Sequence, residues 1–360
     1  MISKTYPHHM LKEIFEEPEA LRRTIELEKE NIREIASQVN SEDYEIIYIT
    51  GSGTSYHAGL ASQYALSNLT GLMATALPAS EFNRWIPPEI SRKTLLMAIS
   101  QSGESTDVLQ ATDAASRRGI SLLAVTNTLG STLAKKADYH IFPRSGRELA
   151  IPATKTYVTQ LLSIFMFSVD LASEKRGDDS FAEAREGLYR APGALDETLR
   201  SLKTQIREAA ERFKDKQAVF LLGSGPNYAT ALEGALKLKE TCIVFAEGFA
   251  TREFFHGPMR LADERTLMFI LASADEAEEA VRLGNSLRGF GASVIYISER
   301  SGEAERLVEN SDETFLVPSG LQRVFSPILY VLPLQLFSYY MCLAKGLNPD
   351  KPEKLRKVVR

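Results

Sequence analysis

The sequence predicts an α/β protein built as two tandem doubly wound parallel-sheet domains related by internal duplication. Two observations carry this reading. The chain repeats itself at one fixed offset, and each copy alternates short, wholly apolar runs with helical stretches. With 360 residues, 44% hydrophobic and 25% charged, the chain is long enough for two domains and is not collagen-like, low-complexity or largely disordered.

The repeat comes first. Ile46–Leu66 reads IIYITGSGTSYHAGLASQYAL, and Ala218–Leu238 reads AVFLLGSGPNYATALEGALKL. Gly51 falls on Gly223, an offset of 172 residues. The same offset places Thr94 (TLLMAIS) on Thr266 (TLMFILA) and Gly119 (GISLLAVTN) on Gly291 (GASVIYISE), without a gap. Wholly apolar runs separated by helical stretches, such as 106–118 and 276–290, indicate strands buried on both faces, hence a parallel sheet between helix layers.

In chain order, residues 1–39 form an N-terminal helical segment. Its apolar positions are Leu11, Ile14 and Phe15, then, beyond Pro18, Leu21, Ile25, Ile32, Ile35 and Val39. The first domain spans 40–175 and the second 205–345. Between them, 176–204 is charged and holds Gly and Pro, so it reads as a connection. Pro327–Ala344 is the longest apolar stretch. Pro333, Gln335 and Ser338 interrupt it, and it reads as a buried core helix rather than a membrane span. The tail, 346–360, is polar and basic, with Pro349 and Pro352, and is expected to be irregular until about Glu353.

Lys and Arg number 42 against 47 Asp and Glu, a net charge of −5, which argues against a broad nucleic-acid footprint. The start has no apolar signal-peptide core. Cys242 and Cys342 are the only cysteines and show neither CxxC nor zinc-ligand spacing. The expectation is no disulfide frame, no metal, a reducing cytoplasm and no membrane.

Two turns carry candidate chemistry. Gly51-Ser52-Gly53-Thr54-Ser55 follows a strand and opens a helix, where open α/β sheets bind ligands. A dinucleotide site would place a third glycine at Tyr56 and an acidic residue near the end of the next strand, which reads LMATALPAS. Neither is present, and Gly223–Pro226 is simplest as a tight turn. The sharper feature is Ser100-Gln101-Ser102-Gly103-Glu104-Ser105-Thr106. It crowds hydroxyls and an amide at a helix start, where unpaired N–H groups and the helix dipole favour an anion. One serine suffices for a cap, so the surplus suggests a phosphate monoester held by neutral donors. At the same offset the second copy reads Ala272-Ser273-Ala274-Asp275-Glu276, whose carboxylates would repel phosphate.

The second copy carries other groups. Glu233, Lys237 and Glu240 share a helix face at i, i+4 and i+7, a pattern that also fits a solvated salt-bridge ladder. His256, before Gly257-Pro258 in a non-helical stretch, with a carboxylate would make a plausible acid–base pair.

Together these motifs resemble the isomerase part of the glucosamine-6-phosphate synthases (glutamine–fructose-6-phosphate amidotransferases), built from two sugar-isomerase, or SIS, domains of flavodoxin-like fold. The likeness spans GSGTSYHAG, SQSGES, KTYVTQL (155–161), ALEGALKLKE, HGP, PLQLFSYY, the final PEKLRKVV and the linker-like residues 6–18. The resemblance implies that Ser55, Ser100, Gln101, Ser102 and Ser105 bind the phosphate and that Thr54 touches the sugar. It implies that Glu240 moves a proton between C1 and C2. It gives His256 ring opening, contributed across a homodimer, and Lys357 a Schiff base with the ketose. Glu233 and Lys237 become a supporting ionic network. By residue type alone Lys357 reads as a solvated tail lysine, and the resemblance reverses that reading. Ala153, in ELAIPAT, replaces a serine that touches the sugar in the family. No cofactor is implied.

The family's amino-terminal glutaminase has no counterpart in these residues. The expected reaction is therefore deamination: glucosamine 6-phosphate and water to fructose 6-phosphate and ammonia. The alternatives are an ammonia-dependent synthase, one fed by a separate glutaminase subunit, an isomerase or deglycase for a related sugar phosphate, and a non-enzymatic sugar-phosphate sensor.

Overall fold

The computed structural model describes residues 6–357. Its strands are β1 (Ile46–Gly51), β2 (Met73–Pro78), β3 (Thr94–Ile99), β4 (Ser121–Val125), β5 (Tyr139–Ile141), β6 (Ala218–Gly223), β7 (Phe245–Ala250), β8 (Thr266–Leu271), β9 (Ser293–Glu299) and β10 (Glu313–Val317). They form two five-stranded sheets with all pairs parallel, in the orders β2-β1-β3-β4-β5 and β7-β6-β8-β9-β10. The two orders are the same. The register repeats as well: Ile46 pairs with Met73 and Thr94, and Ala218 with Phe245 and Thr266. The fold class is therefore that of two tandem doubly wound α/β domains.

Hydrophobic patterning explains the layers. β3 (TLLMAI) and β8 (TLMFIL) are buried at every position, as interior strands covered on both faces must be. Edge strands β2 and β7 carry exposed positions. In the first sheet Leu96, Ala98, Leu122 and Ala124 point to one face, where they join Phe82, Val108, Ala111 and Leu133 of the covering helices. Their neighbours Leu95, Met97, Ile99 and Leu123 face the other side by the two-residue alternation of a strand. The second sheet repeats this with Phe220, Leu222, Met268, Ile270, Val294 and Tyr296 on one face. Its other face meets the helices Pro226–Cys242 and Pro327–Ala344, with Phe269 edge-on to Phe337 at 5.0 Å between ring centroids.

The chain divides into two compact units. The first holds β1–β5 and consists of Glu17–Glu148 and Lys155–Pro192, with Arg356 and Lys357. The second holds β6–β10 and consists of residues 6–16, Leu149–Thr154 and Gly193–Leu355. The division falls inside one helix, Ala182–Arg212, between Pro192 and Gly193. Proline removes an i−4 hydrogen bond and glycine is a poor helix former, so this is where the helix is weakest. The stretch read as a connection is thus largely helical.

The N-terminal preface is two helices, His9–Phe15 and Glu17–Ser41, with Pro18 in the first turn of the second, where its missing N–H costs nothing. Residues 346–357 hold no regular element. Among the described residues, Arg323–Ala344 is the one helical stretch long and apolar enough to cross a membrane, and 89% of its apolar window is buried within the protein.

Candidate active site

Both candidate turns of the first unit lie at the carboxyl ends of β1 and β3. These neighbouring strands leave the sheet in opposite lateral directions, and ligands bind outside such a switch point. Gly53 turns the chain into the helix Thr54–Thr70 at φ 54°, a left-handed value that glycine adopts without strain, and Gly225 repeats it at φ 54°. Ser55, in the first turn of that helix, accepts a hydrogen bond from Gln160 Nε2 at 3.2 Å. Gln160 is buried in the helix Lys155–Arg176, and its Oε1 has no hydrogen-bond partner among the described residues.

The 100–105 turn is tied from within. Ser100 Oγ accepts the Gly103 N–H (3.1 Å), and Ser102 Oγ accepts the Glu104 N–H (3.2 Å). The Gln101 carbonyl accepts the Asn127 N–H at 3.2 Å. Gly103 must be glycine, because φ is 66° and a Cβ there would lie 2.2 Å from Ser131 Oγ. Ser105 is the N-cap of the helix Thr106–Ser116, yet its side chain makes no capping bond. Glu104 reaches away from the turn: its carboxylate accepts from Thr132 N (2.8 Å) and Thr132 Oγ1 (3.0 Å), at the start of the helix Thr132–Lys136. The hydroxyls of this turn therefore stand at a helix start that its own N-cap side chain leaves uncapped.

The second unit treats the matching turn differently. Glu276, at the register of Glu104, folds back so that Oε2 accepts the Ser273 N–H at 3.0 Å. Glu299 Oε1 accepts the Ala274 N–H at 2.8 Å. Arg323 pairs with Asp275 at 2.9 Å and also with Glu276. The second copy fills the place with its own carboxylates.

The ionic stripe of the second unit is buried. Lys237 Nζ lies 3.3 Å from Glu233 Oε1 and 2.6 Å from Glu240 Oε2; Lys237 and Glu233 are fully buried, while the Glu240 side chain keeps 18% exposure. Burial alone would depress the Lys237 ammonium, but Glu233 and then Glu240 outweigh it and hold it well above the ordinary lysine range. This is no solvated ladder. Two carboxylates share one caged cation, and the carboxylate that reaches solvent is Glu240.

His256 follows the short helix Thr251–Phe255 and is exposed. It lines a cavity of about 460 Å³ with Arg252, Phe255, Glu279, Arg282 and Leu283, a lining that does not include Glu240. Lys357, in the first unit, is 25% exposed and lies 2.6 Å from Oε2 of the fully buried Glu148. Glu148 also accepts from Thr156 N (3.2 Å) and Thr156 Oγ1 (2.8 Å) at the start of the helix Lys155–Arg176. Thus the structure groups the 100–105 turn internally, Ser55 with Gln160, Lys357 with Glu148, and Glu233 with Lys237 and Glu240, while the cavity that His256 lines does not include Glu240. Glu148 and Gln160 are the residues that the sequence reading passed over. Among the described residues, no group of three or more His, Cys, Asp or Glu side chains is placed to hold a metal ion.

Known proteins resemble this chain over nearly its whole length. The SIS domain model matches twice, at residues 43–169 and 212–345. A glutamine–fructose-6-phosphate aminotransferase (isomerizing) of Thermococcus kodakarensis is 36% identical over 98% of this chain, and one of Clostridium tetani is 35% identical over 98%. The chain spans 58% and 59% of the length of these two relatives. The C-terminal domain of the glucosamine-fructose-6-phosphate aminotransferase of Francisella tularensis superposes with a TM-score of 0.88 at 27% identity, covering 98% of this chain and 100% of that one. A glucosamine-6-phosphate deaminase of Thermotoga maritima superposes with a TM-score of 0.79 at 26% identity, covering 98% and 99%. Two matched segments, each carrying the same five-stranded sheet, place this chain in the SIS domain family.

Proposed function

We propose that this chain is an amino-sugar phosphate isomerase and deaminase, converting glucosamine 6-phosphate and water to fructose 6-phosphate and ammonia. The observation that carries the reading is the contrast between the two matching turns. One offers hydroxyls at a helix start and turns its glutamate away; the other is filled by its own carboxylates. A phosphate monoester suits the first and is excluded by the second. The whole-length likeness to the Thermotoga maritima deaminase supports the direction.

In this reading Ser55, Ser100, Gln101, Ser102 and Ser105 hold the phosphate and Thr54 contacts the sugar, which fixes the carbon chain for reaction. His256 of a second copy in a homodimer opens the ring by proton transfer. Glu240 takes the proton from C2 and returns it to C1, leaving an imine at C2. Lys237 keeps that carboxylate in place. Lys357 attacks C2 and ammonia leaves; water then releases the ketose and the lysine. The aminotransferase relatives favour a second reading in which the same groups run in reverse on ammonia, supplied freely or by a separate glutaminase subunit.

The test is ammonia release from glucosamine 6-phosphate, run beside glucosamine 6-phosphate formation from fructose 6-phosphate with ammonium or glutamine. Ammonia appearing with stoichiometric fructose 6-phosphate supports deamination. Synthesis without measurable deamination assigns the reverse direction. Binding of either sugar phosphate with no turnover assigns a sensor and removes the enzyme.

A further inference from the structure

The Lys357–Glu148 pair poses a chemical problem. A lysine attacks a carbonyl only as the neutral amine, yet Lys357 Nζ rests 2.6 Å from a carboxylate, as an ammonium in an ion pair. Something must take its proton at the moment of attack. Glu148 is built for that task rather than for surface charge pairing. Its side chain is fully buried, and both oxygens are oriented by Thr156: Oε1 accepts the backbone N–H and Oε2 the hydroxyl. The start of the helix Lys155–Arg176 supplies the positive end of a helix dipole to the same carboxylate. The oxygen bonded to Thr156 Oγ1 is the one that faces Lys357. A surface pair held for stability alone would contribute little.

We propose that Glu148 is the acid–base partner of Lys357 in imine formation, a role that rests on the reading of Lys357 as the imine-forming lysine. The Lys357 ammonium gives its proton to Glu148, and the freed amine forms the N–C bond at C2 of the ketose. The carbonyl oxygen becomes a hydroxyl by taking a proton, which the nitrogen loses. Glu148 then returns its proton to that hydroxyl, the C–O bond breaks, and water leaves. Lysine ammonium and ketone become iminium and water, with Glu148 again a carboxylate and the total charge unchanged. In the hydrolytic direction the same steps run backwards.

The test traps the imine. The full chain is mixed with saturating fructose 6-phosphate and sodium borohydride, and peptide masses report the rate of labelling at Lys357. Wild type is expected to label there. Glu148→Gln should label roughly a hundredfold more slowly, the scale of a lost acid–base group, while calorimetry finds its fructose 6-phosphate affinity within threefold of wild type. Glu148→Asp, which keeps a carboxylate on a shorter stem, should fall between the two. If Glu148→Gln is unfolded by circular dichroism, the Asp variant decides: slower labelling at unchanged affinity supports the role, and the wild-type rate overturns it. A folded Gln variant that labels at the wild-type rate, or whose loss follows its affinity alone, overturns the role of Glu148 and leaves Lys357 standing. Wild type that labels elsewhere, or nowhere, overturns the reading of Lys357, and Glu148 falls with it.

Discussion

Glu104 and Glu276 occupy the same position in two copies of one turn, yet they point to different helices. Glu276 folds back onto the Ser273 N–H, whereas Glu104 reaches forward to cap the helix Thr132–Lys136. One duplicated backbone carries its carboxylate in two directions.

That difference predicts where sugar-phosphate affinity resides. Ser102→Ala and Ser105→Ala should each weaken fructose 6-phosphate binding about tenfold, the scale of a hydrogen bond to a charged group. The thermal midpoint of Ser105→Ala should stay near wild type, since Ser105 makes no capping bond, whereas Ser102→Ala also gives up the bond from the Glu104 N–H and should fall slightly. Glu276→Ala should do the opposite, costing about 1 kcal/mol of stability for the lost charge-assisted bonds without changing affinity. Calorimetry and urea denaturation on the same samples check both halves.

The caged lysine predicts a stability effect. Lys237→Met leaves Glu233 fully buried without its cation and should cost about 3–5 kcal/mol in urea denaturation. Adding Glu233→Gln should return part of that loss, because the stranded charge is gone. A single variant as stable as wild type would mean that the triad is not the tight network seen here.

Alkaline pH should destabilise the fold, and the sign follows from three kinds of group. Burial pushes the Cys242 thiol up to about 11 and the Cys342 thiol up to about 12. Burial and then Glu299 raise Tyr330, while Glu233 and Glu240 raise Lys237 against burial. Each folded-state value lies above the unfolded one, so as pH climbs through the unfolded range the unfolded chain loses its protons first. Stability is complete below about pH 8.5, the ordinary thiol value, and falls above it. The urea midpoint should be lower at pH 10 than at pH 8. At pH 8 neither thiol should react with Ellman's reagent until the protein unfolds.

His256 predicts complementation between copies. The cavity it lines does not include Glu240. In a two-fold dimer, equal amounts of His256→Ala and Glu240→Gln protomers should regain about one quarter of wild-type activity, since half the dimers are mixed and each has one intact site. Verified mixed dimers without activity would place His256 outside the site.

The duplication is legible in the sequence because strands impose a short period and the offset of 172 is kept without a gap. The hydroxyl-rich turn is legible because its residues are contiguous. What sequence distance hides is pairing. Glu148 meets Lys357 across 209 positions and Gln160 meets Ser55 across 105, and no local pattern announces either. The helix Ala182–Arg212 misleads through Pro192 and Gly193. Its signal lies in Ala184, Leu188, Ala191, Leu195, Leu199, Leu202, Ile206 and Ala209, buried positions at helical spacing that run straight through the proline. Whether Glu233, Lys237 and Glu240 were a surface ladder or a buried cage depended on the helix Pro327–Ala344 packed beside them, a tertiary fact.

The most direct test of the account separates grip from chemistry in a single protein. Ammonia release from glucosamine 6-phosphate and calorimetric affinity for fructose 6-phosphate are measured on Glu240→Gln beside wild type. The account predicts that the variant binds within about twofold of wild type and loses at least a hundredfold in turnover, as for a missing proton carrier. Turnover near the wild-type rate would contradict it.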